Sequence, residues 1–192
     1  MARKTYYRFA PAQPGESAVA VLFARERSEY FSLPECDVWP RSRDARNYAG
    51  HLPVIAHPPC RGWGRLRHLA KPVVGERHLA IFAVEQVRRC GGVLEHPAGS
   101  TLWDVLSLPR PGDSDLVGGR TVSVYQGHFG HRAPKHTWLY IVGAPSIPPI
   151  PDGPLPEGRV ELMGQQERER TPLLFARWLV ELAKSCEVLH GA

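Results

Sequence analysis

The chain has 192 residues, 43% of them hydrophobic and 22% charged, which is enough for one domain with a core of its own and an ordinary balance for a globular protein. Lys and Arg number 24 against 19 Asp and Glu, a formal charge of +5 that suits an anionic partner such as nucleic acid. No run approaches the roughly 20 apolar residues of a membrane span, and Cys36, Cys60, Cys90 and Cys186 stand far apart with no CxxC pair, so neither a membrane segment nor a disulfide framework is expected.

Residues 1–17 are basic but have no apolar stretch behind the charges. They read as a flexible tail and not as a secretory signal, and a cytoplasmic location is the expectation. Residues 17–23 form a short apolar run of strand length, and Leu52 to Ala56 a second one, stopped by His57-Pro58-Pro59. From Gly75, the segment GERHLAIFAVEQVRRCGG sets Leu79, Phe82, Ala83, Val87 and Cys90 on one helical face. Arg88 and Arg89 fall in its last turn, and Gly91-Gly92 supply the stop.

Val93-Leu94-Glu95 is a very short strand before Pro97, and Thr121 to Tyr125 and Thr137 to Val142 are further strands. Residues 144–158, APSIPPIPDGPLPEG, form a proline-rich connector without regular structure. Thr171-Pro172 opens a closing helix with Leu174, Trp178, Leu182 and Cys186 on one face. This order predicts a single α/β domain over residues 18–192 with a mainly parallel sheet. Reactive groups in such sheets sit on loops at the carboxyl ends of strands. HPPCRGWGR and EHPAGS are two such loops, while GHFGHRAPKH precedes its strand and is not tied to that edge.

Cys60 lies beyond the end of its strand, fixed by two prolines and followed by Arg61, Arg65 and Arg67. Nearby positive charge favours a thiolate, so Cys60 is a candidate nucleophile. Its alternative is a small buried apolar group at a turn.

Pro58-Pro59-Cys60 after an apolar strand resembles the nucleophile loop of the DNA cytosine-C5 methyltransferases. Val93-Leu94-Glu95-His96-Pro97 resembles that family's second signature, in the same order and about one helix later. Residues 130–143, GHRAPKHTWLYIVG, resemble its basic loop as found in phage-type members, and Glu169-Arg170-Thr171-Pro172 resembles its last motif.

The resemblance implies a Rossmann-like, reduced class I methyltransferase domain. In it Cys60 attacks carbon 6 of a flipped cytosine, and Glu95, as a carboxylic acid with a raised pKa, acts at N3. It further implies phosphate or base contacts from Arg132 and Lys135, with Arg61 and Arg65 beside the nucleophile. S-adenosylmethionine would be the cofactor, with Phe23 stacking on its adenine and Asp37 accepting from the adenine amino group. The expected partner is DNA, with RNA or a pyrimidine nucleotide as alternatives.

The chain departs from the family where Arg25 and Arg27 replace the two glycines of the cofactor loop. It also has no insert for a target-recognition domain, so a second copy or a separate DNA-binding protein would hold the substrate. Three other classes compete with this reading: a hydroxymethylase-like enzyme with a different one-carbon donor, a nucleic-acid binder without activity, and a metal protein. For the last, His57, Cys60 and His96, or His128, His131 and His136, would be ligands, but neither CxxC nor HExxH spacing is present. No metal site is therefore expected.

Overall fold

The computed structural model describes residues 17–65 and 67–187, so the expected N-terminal tail, Ser17 apart, lies outside the described residues. Six strands form one mixed sheet: β1 (Val19–Ala24), β2 (Cys36–Pro40), β3 (Val54–Ala56), β4 (Gly92–Pro97), β5 (Arg120–Tyr125) and β6 (His136–Val142), in the order β2-β1-β3-β4-β6-β5. The first four in that order run parallel, and β6 runs antiparallel to both β4 and β5. The α/β class and the mostly parallel sheet agree with the sequence reading. The antiparallel pair arises because residues 126–135 are too few for the helical crossover that a parallel step requires.

Helix α1 (Glu76–Cys90) covers one face of the sheet and α4 (Leu173–Lys184) the other. Side chains alternate between them. Val54, Ala56 and Leu94 join the core under α1, while Ile55 and Val93 join the core under α4. Two single-turn α-helices, α2 (Leu102–Val105) and α3 (Gln165–Arg168), are also present among the described residues. As expected, the connector 144–158 carries no helix or strand. Among the described residues no helix is long and apolar enough to cross a membrane.

Three local expectations are corrected. The buried stripe of α1 is centred on Ala80, Ala83, Val84, Val87 and Cys90, which rotates Leu79 and Phe82 to its rim. Small alanines let the helix approach the sheet where larger residues would hold it off. In α4, Phe175, Leu179 and Leu182 lead the stripe and Leu174 is 61% exposed. That helix starts at Leu173, with Pro172 as its N-cap and no side-chain cap from Thr171.

Gly91 and Gly92 end α1 with φ of 72° and 120°. A Cβ on Gly92 would lie 2.0 Å from the Val54 carbonyl oxygen, so glycine is what allows β4 to run directly beside β3. Gly92→Ala is expected to lower stability by more than about 2 kcal/mol, read as a shift of the urea midpoint at unchanged slope.

Candidate active site

The chain leaves β1 toward β2 on one side and returns as β3 on the other. The crevice beyond the carboxyl ends of β1 and β3 is therefore the topological switch point, the place where open α/β sheets receive ligands. β1 ends at this edge with a break in its register to β2 between Leu22 and Ala24. Phe23 there has a left-handed φ of 61°, unusual for an aromatic residue and a mark of a constrained strand end.

β3 runs into the cysteine loop. His57 N–H donates to the Leu22 carbonyl at 3.0 Å, extending the β1–β3 pairing by one residue. The prolines then turn the chain. The Cys60 carbonyl accepts from the N–H groups of Trp63 (3.0 Å) and Gly64 (2.8 Å), and the buried Trp63 ring anchors the loop in the core under α1.

Strand parity brings Glu95 to the same place. His57 lies two residues past Ile55, and Glu95 two past Val93, so both point to the α4 face. His57 Nδ1 lies 3.1 Å from Glu95 Oε2, and the other carboxylate oxygen accepts from Gln126 Nε2 at 2.8 Å. Gln126 Nε2 also reaches Thr137 Oγ1 at 3.0 Å. On its far side the imidazole Nε2 lies 2.9 Å from the Tyr30 hydroxyl. Because β6 is antiparallel to β4, its start lies at this edge as well, and Lys135 just before it joins the group. Lys135 has a left-handed φ of 42°, and its ammonium donates to the Arg170 carbonyl at 3.1 Å.

These groups set one another's charge. Burial alone would raise the Glu95 carboxyl, but the His57 hydrogen bond and the Lys135 ammonium outweigh it and hold the group down to about 2. The acid form expected from the sequence is thus not the resting form, because Glu95 is met on both oxygens by donors. Burial and then the Glu95 charge push the Cys60 thiol up, with Lys135 opposing them. At rest Cys60 is a neutral thiol. The arginines that follow it do not activate it: Arg61 is spent on Glu76 at the start of α1 (Nε to Oε1, 3.0 Å). Burial lowers the Lys135 ammonium, and the Glu95 carboxylate acts to keep it charged.

His96, next to Glu95, points the opposite way, toward Trp103 on the α1 face, with ring centroids 6.3 Å apart. It is fully buried, and neither ring nitrogen has a partner among the described residues. Burial lowers its pKa to about 4. An unfolded histidine takes its proton near pH 6.5, so the folded state loses stability as pH falls below that value. His96 is expected to contribute about 2 kcal/mol of that loss between pH 7 and pH 5, a part missing from His96→Phe, by urea unfolding at the two pH values.

The other sequence-predicted residues are dispersed. Arg65 is exposed, with its stem lying over Gly99 in the turn after β4, and it makes no ion pair among the described residues. Arg132 is exposed and paired with Glu167 at 2.6 Å. Asp37 sits near the start of β2, opposite Ala20, where one carboxylate oxygen accepts from Trp39 Nε1 at 2.8 Å and the other meets Arg43. Phe23 packs edge-on against Phe82.

In the segment after β1, Arg25 donates to the Gln166 carbonyl at 2.5 Å, and Glu26 accepts from Ser42 N–H at 2.9 Å and from its hydroxyl at 3.0 Å. With Asp37 occupied, Arg25 tied down where the family has a glycine and Glu26 held beside it, the residues do not fit S-adenosylmethionine in the way the resemblance implies. The proposed metal trio is split as well, since His57 and His96 face opposite sides of the sheet. Among the described residues no cluster of three or more His, Cys, Asp or Glu side chains could hold a metal ion.

Sequence reading missed the roles of Tyr30 and Gln126 and gave His57 no part beside Glu95. The signal for His57 was present in the strand alternation Ile55–His57 and Val93–Glu95. Tyr30 and Gln126 lie on a short turn and at a strand end that no periodicity marks. A scan against models of protein families, a search of curated proteins and a search of solved structures each match nothing.

Proposed function

We propose that this chain modifies carbon 5 of cytosine in nucleic acid by way of a covalent adduct on Cys60. The observation that carries the reading is the His57–Glu95 hydrogen bond, which ties the Pro-Pro-Cys loop to the end of β4 and sets thiol, carboxylate and Lys135 at one sheet edge. The switch-point position supports it, as does the order β2-β1-β3-β4 with an antiparallel strand beyond, which suits a reduced class I methyltransferase-like sheet.

The chemistry follows from the resting charges. Cys60 holds a proton and Glu95 does not. When sulfur bonds to carbon 6, the thiol's proton is the one that ring N3 needs as the C5=C6 electrons shift, and the carboxylate is placed to take and deliver it. The Lys135 ammonium stabilises the sulfur anion as it forms. The product is an enamine whose carbon 5 is nucleophilic, and a one-carbon donor enters only after this point. The target base must leave its stack for either ring carbon to be reached. Arg65 and the exposed Arg67, His68 and Lys71 of the same loop supply phosphate contacts.

A cysteine–histidine hydrolase is the competing use of these residue types. It needs an imidazole nitrogen free to take the thiol's proton, and both nitrogens of His57 are engaged, with Glu95 and Tyr30.

The adduct can be read without any donor. In deuterium oxide, carbon 5 of the enamine takes a deuteron, and elimination of sulfur returns cytosine labelled at C5. We expect the full chain to exchange the C5 hydrogen of cytosine in a single-stranded oligonucleotide. Label found on uracil but not on cytosine would redirect the reading to uracil, and label on neither would refute it.

A further inference from the structure

Glu95 is one end of a part-buried chain of hydrogen bonds that runs away from the nucleophile. Tyr30, in the turn Glu29–Ser32, is fully buried. Its phenol is pushed well above its ordinary range by burial, then by the charges of Cys36 and Glu95, so it stays an O–H. Glu95, ionised, can only accept. His57 Nδ1 must therefore carry a hydrogen toward Glu95 Oε2 at 3.1 Å. In the neutral ring the lone pair then sits on Nε2, where the Tyr30 O–H meets it at 2.9 Å. The tautomer is set from both ends.

The choice of tyrosine has a consequence. If the ring gains a second proton, Nε2–H becomes a donor, and a hydroxyl can turn and accept it. Tyr30 is thus a partner for His57 in either protonation state. Gln126 holds the other carboxylate oxygen in both cases.

Resting on the reading above, we propose that His57 and Tyr30 are positioning residues for Glu95: they aim the carboxylate at the substrate and let the pair exchange one proton without leaving a buried charge uncompensated. Once the thiol's proton has been taken up, the pair holds one proton more than at rest, either as protonated His57 beside Glu95 carboxylate or as neutral His57, its hydrogen left on Nε2, beside Glu95 carboxylic acid. The hydrogen moves from Nδ1 to Oε2 and no co-reactant is needed. The other titratable groups facing this chain are Cys36 behind Tyr30, Lys135 and Cys60 at the mouth, and His96 through the strand.

Two readouts on the full chain separate this proposal from a structural role. The first is the carboxyl ¹³C shift of Glu95 against pH in the wild type, His57→Gln, His57→Asn and Tyr30→Phe. Asparagine can still donate to Oε2 but cannot carry a proton. We expect the carboxyl to titrate at higher pH in His57→Gln and to return toward the wild-type curve in His57→Asn. The second readout is the rate of C5 exchange across about pH 5 to 9. We expect a loss of at least about tenfold in both His57 variants, a flattened pH profile in Tyr30→Phe, and little change in KM.

Wild-type rates and profile in His57→Asn would overturn the relay and leave the cytosine chemistry standing. If the wild type exchanges nothing, that chemistry falls and the shift measurement still decides the clamp: a Glu95 curve identical in wild type and His57→Gln overturns it.

Discussion

Cys60→Ser is expected to abolish C5 exchange and adduct formation while leaving the fold intact. Serine replaces one atom of a half-buried side chain, and the turn around it is held by the Cys60 backbone carbonyl, which accepts from Trp63 and Gly64. Stability should therefore change by no more than about 1 kcal/mol. A hydroxyl is a far weaker nucleophile toward carbon 6 at neutral pH than a thiol whose proton has a nearby acceptor. Exchange measured by mass spectrometry, beside a thermal melt of the same preparation, separates the two effects. Exchange persisting in the serine variant would remove Cys60 from the mechanism.

Glu95→Gln is expected to slow exchange by about 10²- to 10⁴-fold, the range for loss of a positioned acid–base group. Glutamine keeps the shape and can still accept from His57, but it cannot take the thiol's proton or hand one to N3. It also removes the negative charge that raises the Cys60 thiol, so that thiol should become more acidic. The combination is diagnostic: alkylation of Cys60 at neutral pH should be faster in Glu95→Gln than in wild type while exchange is slower. A merely disrupted site would change both in the same direction or unfold.

Several parts of this arrangement were legible in the sequence for physical reasons. The period of α1 and its glycine stop, the apolar runs of β1 and β3, and the prolines after Ala56 each carry a local signal that does not depend on partners. Cys60 and Glu95 could be assigned to strand ends, and a parallel β3–β4 pair brings such ends together.

What the chain did not advertise depends on pairing. β2 passed unmarked because Cys36, Asp37, Val38, Trp39 and Pro40 mix polar, aromatic and imino residues. Lys135 was readable as a basic loop residue, but its place beside Cys60 and Glu95 needs β6 to run antiparallel to β4. The charge state of the site was inverted. Arginines adjacent in sequence suggested a thiolate and burial suggested a carboxylic acid. In the fold Arg61 turns to Glu76, and His57 and Gln126 meet the carboxylate. Sequence neighbours are poor guides to electrostatics when side chains several ångströms long can choose other partners.

The central claim is a bond between Cys60 sulfur and carbon 6 of a pyrimidine. It is tested most directly by incubating the full chain with an oligonucleotide carrying 2-pyrimidinone in place of one cytosine, an analogue whose carbon 6 is more electrophilic. The denatured product is then weighed and its adducted peptide mapped. The account predicts one added oligonucleotide mass, located on Cys60 and missing from Cys60→Ser. An adduct on Cys36, Cys90 or Cys186, or an equal yield from the serine variant, would contradict it.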